Sequence, residues 1–149
     1  MKAAPTILVV EDMEDDVFFL KRALKGAGIA NSLQVVVDGR EAIHYLSGQG
    51  AYADRAAHPL PFLILLDLKL PYVMGLDVLK WIRQRPRFDS IVVAVLSSSH
   101  QQSDLSATGA LGGNSYIVKP PTAQKIAQLM AEFPSDSWRR HGSDEIAVC

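Results

Sequence analysis

Short apolar runs along the chain alternate with segments in which apolar residues recur every three or four positions. The apolar runs lie at about residues 7–10, 33–37, 62–66, 91–96 and 116–118. Continuous apolar runs of this length are typical of strands buried on both faces, as in a parallel sheet. We therefore predict five buried strands.

A segment with helical periodicity follows each predicted strand. The predicted helices span about 15–25, 76–85, 103–111 and 122–133, and another begins at Asp38-Gly39 with Ala42, Ile43 and Leu46 on its core face. The helix at 103–111 is expected to be weak and interrupted by Gly109, because glycine costs about 1 kcal/mol relative to alanine inside a helix. Residues 47–61 are rich in Gly, Ala and Pro and are expected to form a long loop.

Five strand-helix units in succession predict an α/β fold with a parallel sheet and helices on both faces. The expected architecture is a flavodoxin-like, doubly wound (βα)5 domain with strand order 2-1-3-4-5. In that order strands 1 and 3 lie side by side. Ligands of such sheets bind beyond the carboxyl ends of the strands, so residues at those ends are the candidates for function.

The residues at four predicted strand ends carry complementary chemistry. Glu11-Asp12 follow strand 1, Asp67 ends strand 3, Ser97 ends strand 4 and Lys119 follows strand 5. Three acids, a hydroxyl and an amine are thus expected at one rim of one sheet. This set can hold a divalent metal ion and a phosphoryl group on Asp67.

Size and charge restrict the function classes. A chain of 149 residues suits one compact domain, predicted to span 1–149 with its core at about 6–133. A net charge of −1 argues against general binding to nucleic acid or to an anionic membrane surface. No stretch approaches the roughly 20 apolar residues of a membrane span. The single cysteine, Cys149, suits the reducing cytoplasm.

Taken together and in order, these motifs resemble the receiver domains of two-component response regulators over about residues 6–133. The resemblance rests on Glu11-Asp12, Asp67-Leu68-Lys69-Leu70-Pro71 with Gly75, Ser97, and Lys119-Pro120. The chain is most similar to the stand-alone receivers that partner bacterial phytochrome kinases. This similarity rests on the sequence Val10-Glu11-Asp12, the long loop before strand 3 and the segment 112–120.

The resemblance implies that a sensor histidine kinase, here a bacteriophytochrome, donates a phosphoryl group to Asp67. Mg²⁺ would be bound directly by Asp12 and Asp67, through water by Glu11, and by the backbone carbonyl of Lys69. The Lys119 ammonium would contact a phosphoryl oxygen. Such a protein catalyses only its own phosphorylation and dephosphorylation.

The resemblance also implies a switch and an output. Ser97 would move toward the phosphoryl group, and Tyr116 would rotate into the space that it vacates. Residues 134–149 are too short for an output domain, so the signal would pass by protein contact or to a downstream phosphotransfer protein. A homodimer through the helix 4, strand 5, helix 5 face is expected, with Tyr116, Ile117, Phe133 and Trp138 as its aromatic and apolar residues.

Two other function classes stay open. The first is a receiver-shaped interaction module that is never phosphorylated. The second is a phosphatase with an aspartate nucleophile, although Lys69 occupies the position where such enzymes carry a second acid.

Asp15 or Asp16 is expected to cap the first helix or to lie in its first turn. Phe18-Phe19 and Trp81 are expected to pack internally.

Overall fold

A computed structural model of the protein describes residues 6–99 and 101–132. Phe133, Trp138, Cys149 and the segment 134–149 lie outside the described residues. The strands are β1 Thr6–Val10, β2 Ser32–Val36, β3 Pro61–Asp67, β4 Val92–Ser97 and β5 Ser115–Val118. The helices are α1 Glu14–Gly26, α2 Gly39–Ser47, α3 Gly75–Arg83, α4 Gln102–Ala110 and α5 Ala123–Met130, with single 3-10 turns at Gly50–Tyr52 and Pro86–Phe88.

The five strands form one parallel sheet in the order β2-β1-β3-β4-β5. Val10 pairs with Leu66 of β3, and Asp67 pairs with Leu96 of β4. The carboxyl ends of the three central strands are therefore level with one another. The predicted fold class and strand order are confirmed.

Apolar side chains fill a layer on each face of the sheet. On one face α1 and α5 contribute Leu20, Ala23, Leu24, Ile126, Leu129 and Met130. On the other face α2 and α3 contribute Ala42, Tyr45, Leu46, Val78, Leu79 and Ile82. Full burial of one such aliphatic side chain stabilises the fold by about 1.5–3 kcal/mol. This burial holds the strand ends in fixed relative positions.

Helix α4 continues through Gly109, so the predicted interruption there is wrong. A Cβ at Gly109 would have no heavy atom within 4 Å, which shows that no packing constraint requires glycine. The helix ends at Ala110, and Gly112 follows with a φ of +92°, a left-handed conformation that favours glycine. The Gly113 amide then donates to the Thr108 carbonyl at 2.8 Å, which closes the end of the helix.

The segment between α2 and β3 is tied to α2 by side chains. Tyr45 is fully buried, whereas Ile43, predicted for the core face, is only half-buried. The Tyr45 hydroxyl donates to the Pro59 carbonyl at 2.8 Å. Arg55 donates to the Tyr45 and Leu46 carbonyls at 2.7 and 2.8 Å. The predicted loop therefore packs against the end of α2, because aromatic and guanidinium groups supply contacts that its composition did not reveal.

The aromatic residues of α1 do not pack internally as predicted. Phe18 and Phe19 are 56% and 48% exposed. The inward face of α1 is taken by Leu20, Ala23 and Leu24, which leaves both rings on the solvent side. Trp81, in contrast, is half-buried against the core and lies 5.9 Å from the Phe88 ring, as predicted.

Within residues 6–99 and 101–132, no helix has both the length and the hydrophobicity that crossing a bilayer requires.

Candidate functional site

Backbone hydrogen bonds place the predicted site residues at one rim of the sheet. Glu11 follows β1, and its amide donates to the Val36 carbonyl of β2 at 3.0 Å. Lys119 follows β5, and its amide donates to the Ser97 carbonyl at the end of β4 at 2.7 Å. Asp67 is the last residue of β3. The parallel pairing therefore continues past the strand ends and sets the positions of these side chains.

Three carboxylates cluster at this rim. One oxygen from each of Glu11, Asp12 and Asp67 lies within 4.8 Å of the others. Glu11 and Asp67 are 2% and 5% exposed, whereas Asp12 faces solvent. A cavity of about 290 Å³ opens here and is lined by Asp12, Met13, Asp16, Asp67, Lys69, Ser97, Ser98 and Lys119.

The donor set suits a hard divalent cation. Mg²⁺ binds oxygen ligands, commonly one or two carboxylates with water and substrate oxygens. Three acids in one pocket repel each other, and a bound cation relieves that repulsion. Glu11, Asp12 and Asp67 therefore fit the predicted metal site. Lys69 lines the same cavity, and the role of its backbone carbonyl as a ligand stays a prediction.

Lys119 is the cation at the centre of these acids. Its Nζ lies 2.8 Å from Glu11 Oε1, 2.9 Å from Asp16 Oδ2 and 3.2 Å from Asp67 Oδ1. Burial lowers the pKa of Lys119, but its hydrogen bonds to Glu11 and Asp16 outweigh burial and raise the pKa above its usual value. Lys119 is therefore a fixed positive charge directed at the Asp67 carboxylate.

Glu11 holds its proton more tightly than an ordinary glutamate does. Its pKa is raised to about 7, and burial is the largest cause. The nearby Asp67 carboxylate also raises the pKa, whereas the hydrogen bond from Lys119 lowers it. Its second oxygen accepts from the Met13 amide at 3.2 Å. Burial therefore favours the protonated form of Glu11 more than in an exposed glutamate.

Asp16 was not predicted as a site residue. It lies in the first turn of α1, as expected for Asp15 or Asp16, but neither acid caps the helix, since the N-cap is Met13. The Asp16 carboxylate turns instead toward Lys119. Its spacing of four residues from Asp12 was the available signal, but choosing Asp16 over Asp15 requires the direction in which α1 leaves β1.

Ser97 and Tyr116, the predicted switch residues, are linked through Ser99. The Ser99 amide donates to Ser97 Oγ at 3.0 Å. The Tyr116 hydroxyl donates to the Ser99 carbonyl at 3.1 Å. Ser97 is buried and Tyr116 is half-buried. A movement of the Ser97 hydroxyl would therefore alter the backbone that Tyr116 contacts.

Gly75 allows α3 to begin close to Asp67. Its amide donates to the Leu68 carbonyl at 3.0 Å. A Cβ at position 75 would overlap the Asp67 carbonyl oxygen and lie 2.8 Å from the Leu68 Cα. Both neighbours are backbone atoms, which cannot move aside as a side chain can. Gly75 therefore contributes to the position of Asp67.

The chain is similar to known proteins over nearly its whole length. A family model described as the response regulator receiver domain matches residues 7–131. The response regulator Rcp1 of Synechocystis sp. is 40% identical over 129 residues, which are 87% of this chain and 86% of Rcp1.

Solved structures agree with that match. The response regulator RPA3017 in red light signaling of R. palustris has a TM-score of 0.82 at 31% identity, over 91% of this chain and 98% of its own. The bacteriophytochrome response regulator RtBRR has a TM-score of 0.78 at 37% identity, over 90% and 78%. The Mn(2+)-bound form of Rcp1 has a TM-score of 0.73 at 36% identity, over 87% and 93%. With the sheet order and rim residues described above, these matches show that the chain belongs to the response regulator receiver family.

Proposed function

We propose that this receiver is a phosphorylation-controlled switch that accepts a phosphoryl group on Asp67 from the phosphohistidine of a sensor histidine kinase. The observation that carries the proposal is the environment of the Asp67 carboxylate. It is nearly buried, faces the 290 Å³ cavity and has the Lys119 Nζ 3.2 Å from its Oδ1. A nucleophile with a fixed cation beside it is what phosphoryl transfer requires of a protein.

The transfer is an in-line substitution at phosphorus. An Asp67 carboxylate oxygen forms the new P–O bond while the P–N bond to the kinase histidine breaks, and its electron pair returns to the imidazole nitrogen. The product on this chain is an acyl phosphate. The Lys119 ammonium stabilises the negative charge of the phosphoryl oxygens. The chain thus phosphorylates its own carboxylate, and the phosphorylated donor is its substrate.

The acid cluster would hold Mg²⁺. Asp12 and Asp67 would bind it directly, Glu11 through water, and the Lys69 carbonyl would complete the protein ligands. When bound, the cation neutralises the acids and the incoming phosphoryl oxygens. The Mn(2+)-bound structure of Rcp1 supports a divalent ion in this family. Buried Glu11 and Asp67 support it in this chain.

The output is a changed protein-interaction face. Phosphorylation draws the Ser97 hydroxyl inward, and the link through Ser99 passes the change to Tyr116. The receiver domain over residues 1–149 would act in the cytoplasm and signal by protein contact or by onward phosphotransfer. The similarity to RtBRR and RPA3017 supports a bacteriophytochrome as the kinase.

Mass measurement of the intact protein tests the proposal. After incubation with phosphoramidate and Mg²⁺, the wild-type protein should carry one phosphoryl group, and Asp67→Asn should carry none. Excess chelator should abolish the adduct. An adduct that persists in Asp67→Asn would contradict the assignment of the acceptor. Absence of any adduct on the wild type would favour the unphosphorylated interaction module.

A further inference from the structure

Asp16 and Glu11 each accept a hydrogen bond from the Lys119 ammonium. We infer that Asp16 is a positioning residue for phosphoryl transfer, because its carboxylate holds the Lys119 ammonium 3.2 Å from Oδ1 of the Asp67 acceptor carboxylate. This inference rests on the proposed function of Asp67. It adds a fourth acid to the site, on α1 and not at a strand end.

The geometry of the ammonium carries the inference. A lysine ammonium has three N–H donors. Here three carboxylate oxygens lie within 3.2 Å of Nζ, and the contacts to Glu11 and Asp16, at 2.8 and 2.9 Å, are shorter than the one to Asp67. Two donors are thus used in hydrogen bonds to Glu11 and Asp16, and the third remains for the reacting carboxylate, with which Lys119 forms an ion pair. A long, flexible side chain needs such anchors, because its free rotation would otherwise spread the charge over many positions.

Glu11 by itself is an insufficient anchor. Glu11 belongs to the acid cluster with Asp12 and Asp67, so its charge is shared with any cation that the cluster holds. Asp16 lies outside that cluster and pairs with Lys119 independently of it. When an Asp67 oxygen bonds to phosphorus, the third N–H donor of Lys119 can bind a phosphoryl oxygen. The contact with Asp16 keeps the ammonium within reach during this exchange.

The alternative role for Asp16 is the general one of an acid near a helix N-terminus. Such acids stabilise the helix dipole without any partner. Glu14 and Asp15 occupy the same first turn and carry the same charge. Asp15 is exposed and is therefore a matched control, since its removal changes the helix dipole and the net charge as removal of Asp16 does.

A double-mutant cycle with Lys119 separates the two roles. The rate of phosphorylation by phosphoramidate at saturating Mg²⁺ is measured for Asp16→Ala and Asp15→Ala, each in the wild-type and in the Lys119→Ala background, as a function of phosphoramidate concentration. Asp16→Ala should lower the maximal rate about three- to tenfold without raising KM, because misplacement of a catalytic group slows the chemical step. Asp15→Ala should stay within about twofold of wild type.

The Lys119→Ala background gives the decisive result. There Asp16→Ala should cause no further loss, because its partner is already absent. Asp16→Asn, which keeps an oxygen acceptor and loses the charge, should fall between wild type and Asp16→Ala. Thermal unfolding of each variant shows whether it is folded, and Asp16→Asn replaces Asp16→Ala if the latter is not.

Results that contradict the role of Asp16 differ from the result that contradicts the proposed function. If the wild type is phosphorylated on Asp67, three results would each overturn the role of Asp16 and leave the proposed function intact. They are an equal loss from Asp16→Ala in both backgrounds, a loss from Asp15→Ala equal to that from Asp16→Ala, and a maximal rate of Asp16→Ala equal to that of the wild type. A wild-type protein that takes no phosphoryl group would overturn both.

Discussion

At the scale of single residues, the site is a balance between one buried acid and one fixed cation. Glu11 is 2% exposed and lies next to Asp67, so its carboxylate loses hydration and meets a like charge. Lys119 compensates with an ion pair at 2.8 Å. Burial and the Asp67 charge outweigh this ion pair, so the pKa of Glu11 is raised.

We expect the metal-free protein to lose stability as pH rises toward about 7. The pKa of Glu11 is 4.5 as a free side chain and about 7 in the folded state, so the folded state binds this proton more tightly. The stabilisation is full below the unfolded-state pKa and is lost as pH rises through the folded-state value. We expect urea unfolding in the presence of chelator to give a lower free energy of unfolding at pH 8 than at pH 5. This decrease should be about 1–3 kcal/mol larger in the wild type than in Glu11→Gln. Equal falls in the two proteins would contradict it.

Ser97→Ala should accept phosphate but transmit the change poorly. The variant lacks the oxygen that accepts from the Ser99 amide, and Ser99 in turn accepts from the Tyr116 hydroxyl. NMR shift changes on adding beryllofluoride, which stands in for the phosphoryl group, should be strongly reduced for residues 116–126. Ser106→Ala, on the exposed side of α4, is the control and should respond like wild type. Equal responses in Ser97→Ala and wild type would exclude Ser97 as the relay.

At the scale of elements, the start of α3 and the interior of α4 place opposite demands on glycine. At Gly75 the helix passes so close to the Asp67 backbone that a side chain has no room. At Gly109 the helix faces open space. Of these two glycines, only Gly75 is required by packing.

Alanine at the two positions should therefore change stability in opposite directions. Gly75→Ala should destabilise by about 1–3 kcal/mol through overpacking and slow phosphorylation of Asp67. Gly109→Ala should stabilise by about 0.5–1 kcal/mol, because alanine loses less backbone entropy in a helix. Chemical unfolding of both variants measures the difference. Destabilisation by Gly109→Ala would show that α4 is constrained by something other than helix propensity.

At the scale of the whole molecule, self-association through the α4, β5, α5 face stays a prediction. Two of its expected residues, Phe133 and Trp138, lie outside the described part of the chain. Ile117 is 5% exposed and packs in the core, so its assignment to the interface is wrong. Tyr116 is half-buried and Leu105 of α4 is 38% exposed, so these two side chains can contribute to that face.

Light scattering at about 100 µM should show a dimer, since interfaces of standard area commonly bind at micromolar concentration or tighter. Leu105→Glu should shift the equilibrium toward monomer, because a carboxylate would be desolvated in the interface. Leu60→Glu, an exposed leucine before β3, is the matched control and should not. A chain cut after Phe133 tests the tail. A wild type that is monomeric with and without beryllofluoride would leave the dimer unsupported.

The apolar runs were sufficient to predict the sheet and the location of the site. A run such as 62–66 has no polar face, so it must be covered on both sides, and five of them separated by helical segments allow few arrangements. Parallel strands end at the same rim, which is why the sequence alone predicted that Asp67, Ser97 and Lys119 lie together. Carboxylate, hydroxyl and amine groups at one rim then predicted binding of a divalent metal ion and a phosphoryl group.

Only the tertiary structure decided which side chains on the helices face the site or the core. The sequence could not choose Asp16 over Asp15, because a rotation of α1 by one residue exchanges them. The same uncertainty explains Tyr45 replacing Ile43 in the core and Phe18 lying in solvent. Along a strand, successive side chains point to opposite faces of the sheet, so the sequence predicts which residues lie at the strand ends and how they are oriented. The rotation of a helix is set by packing against its neighbours, and those contacts exist only once the chain has folded.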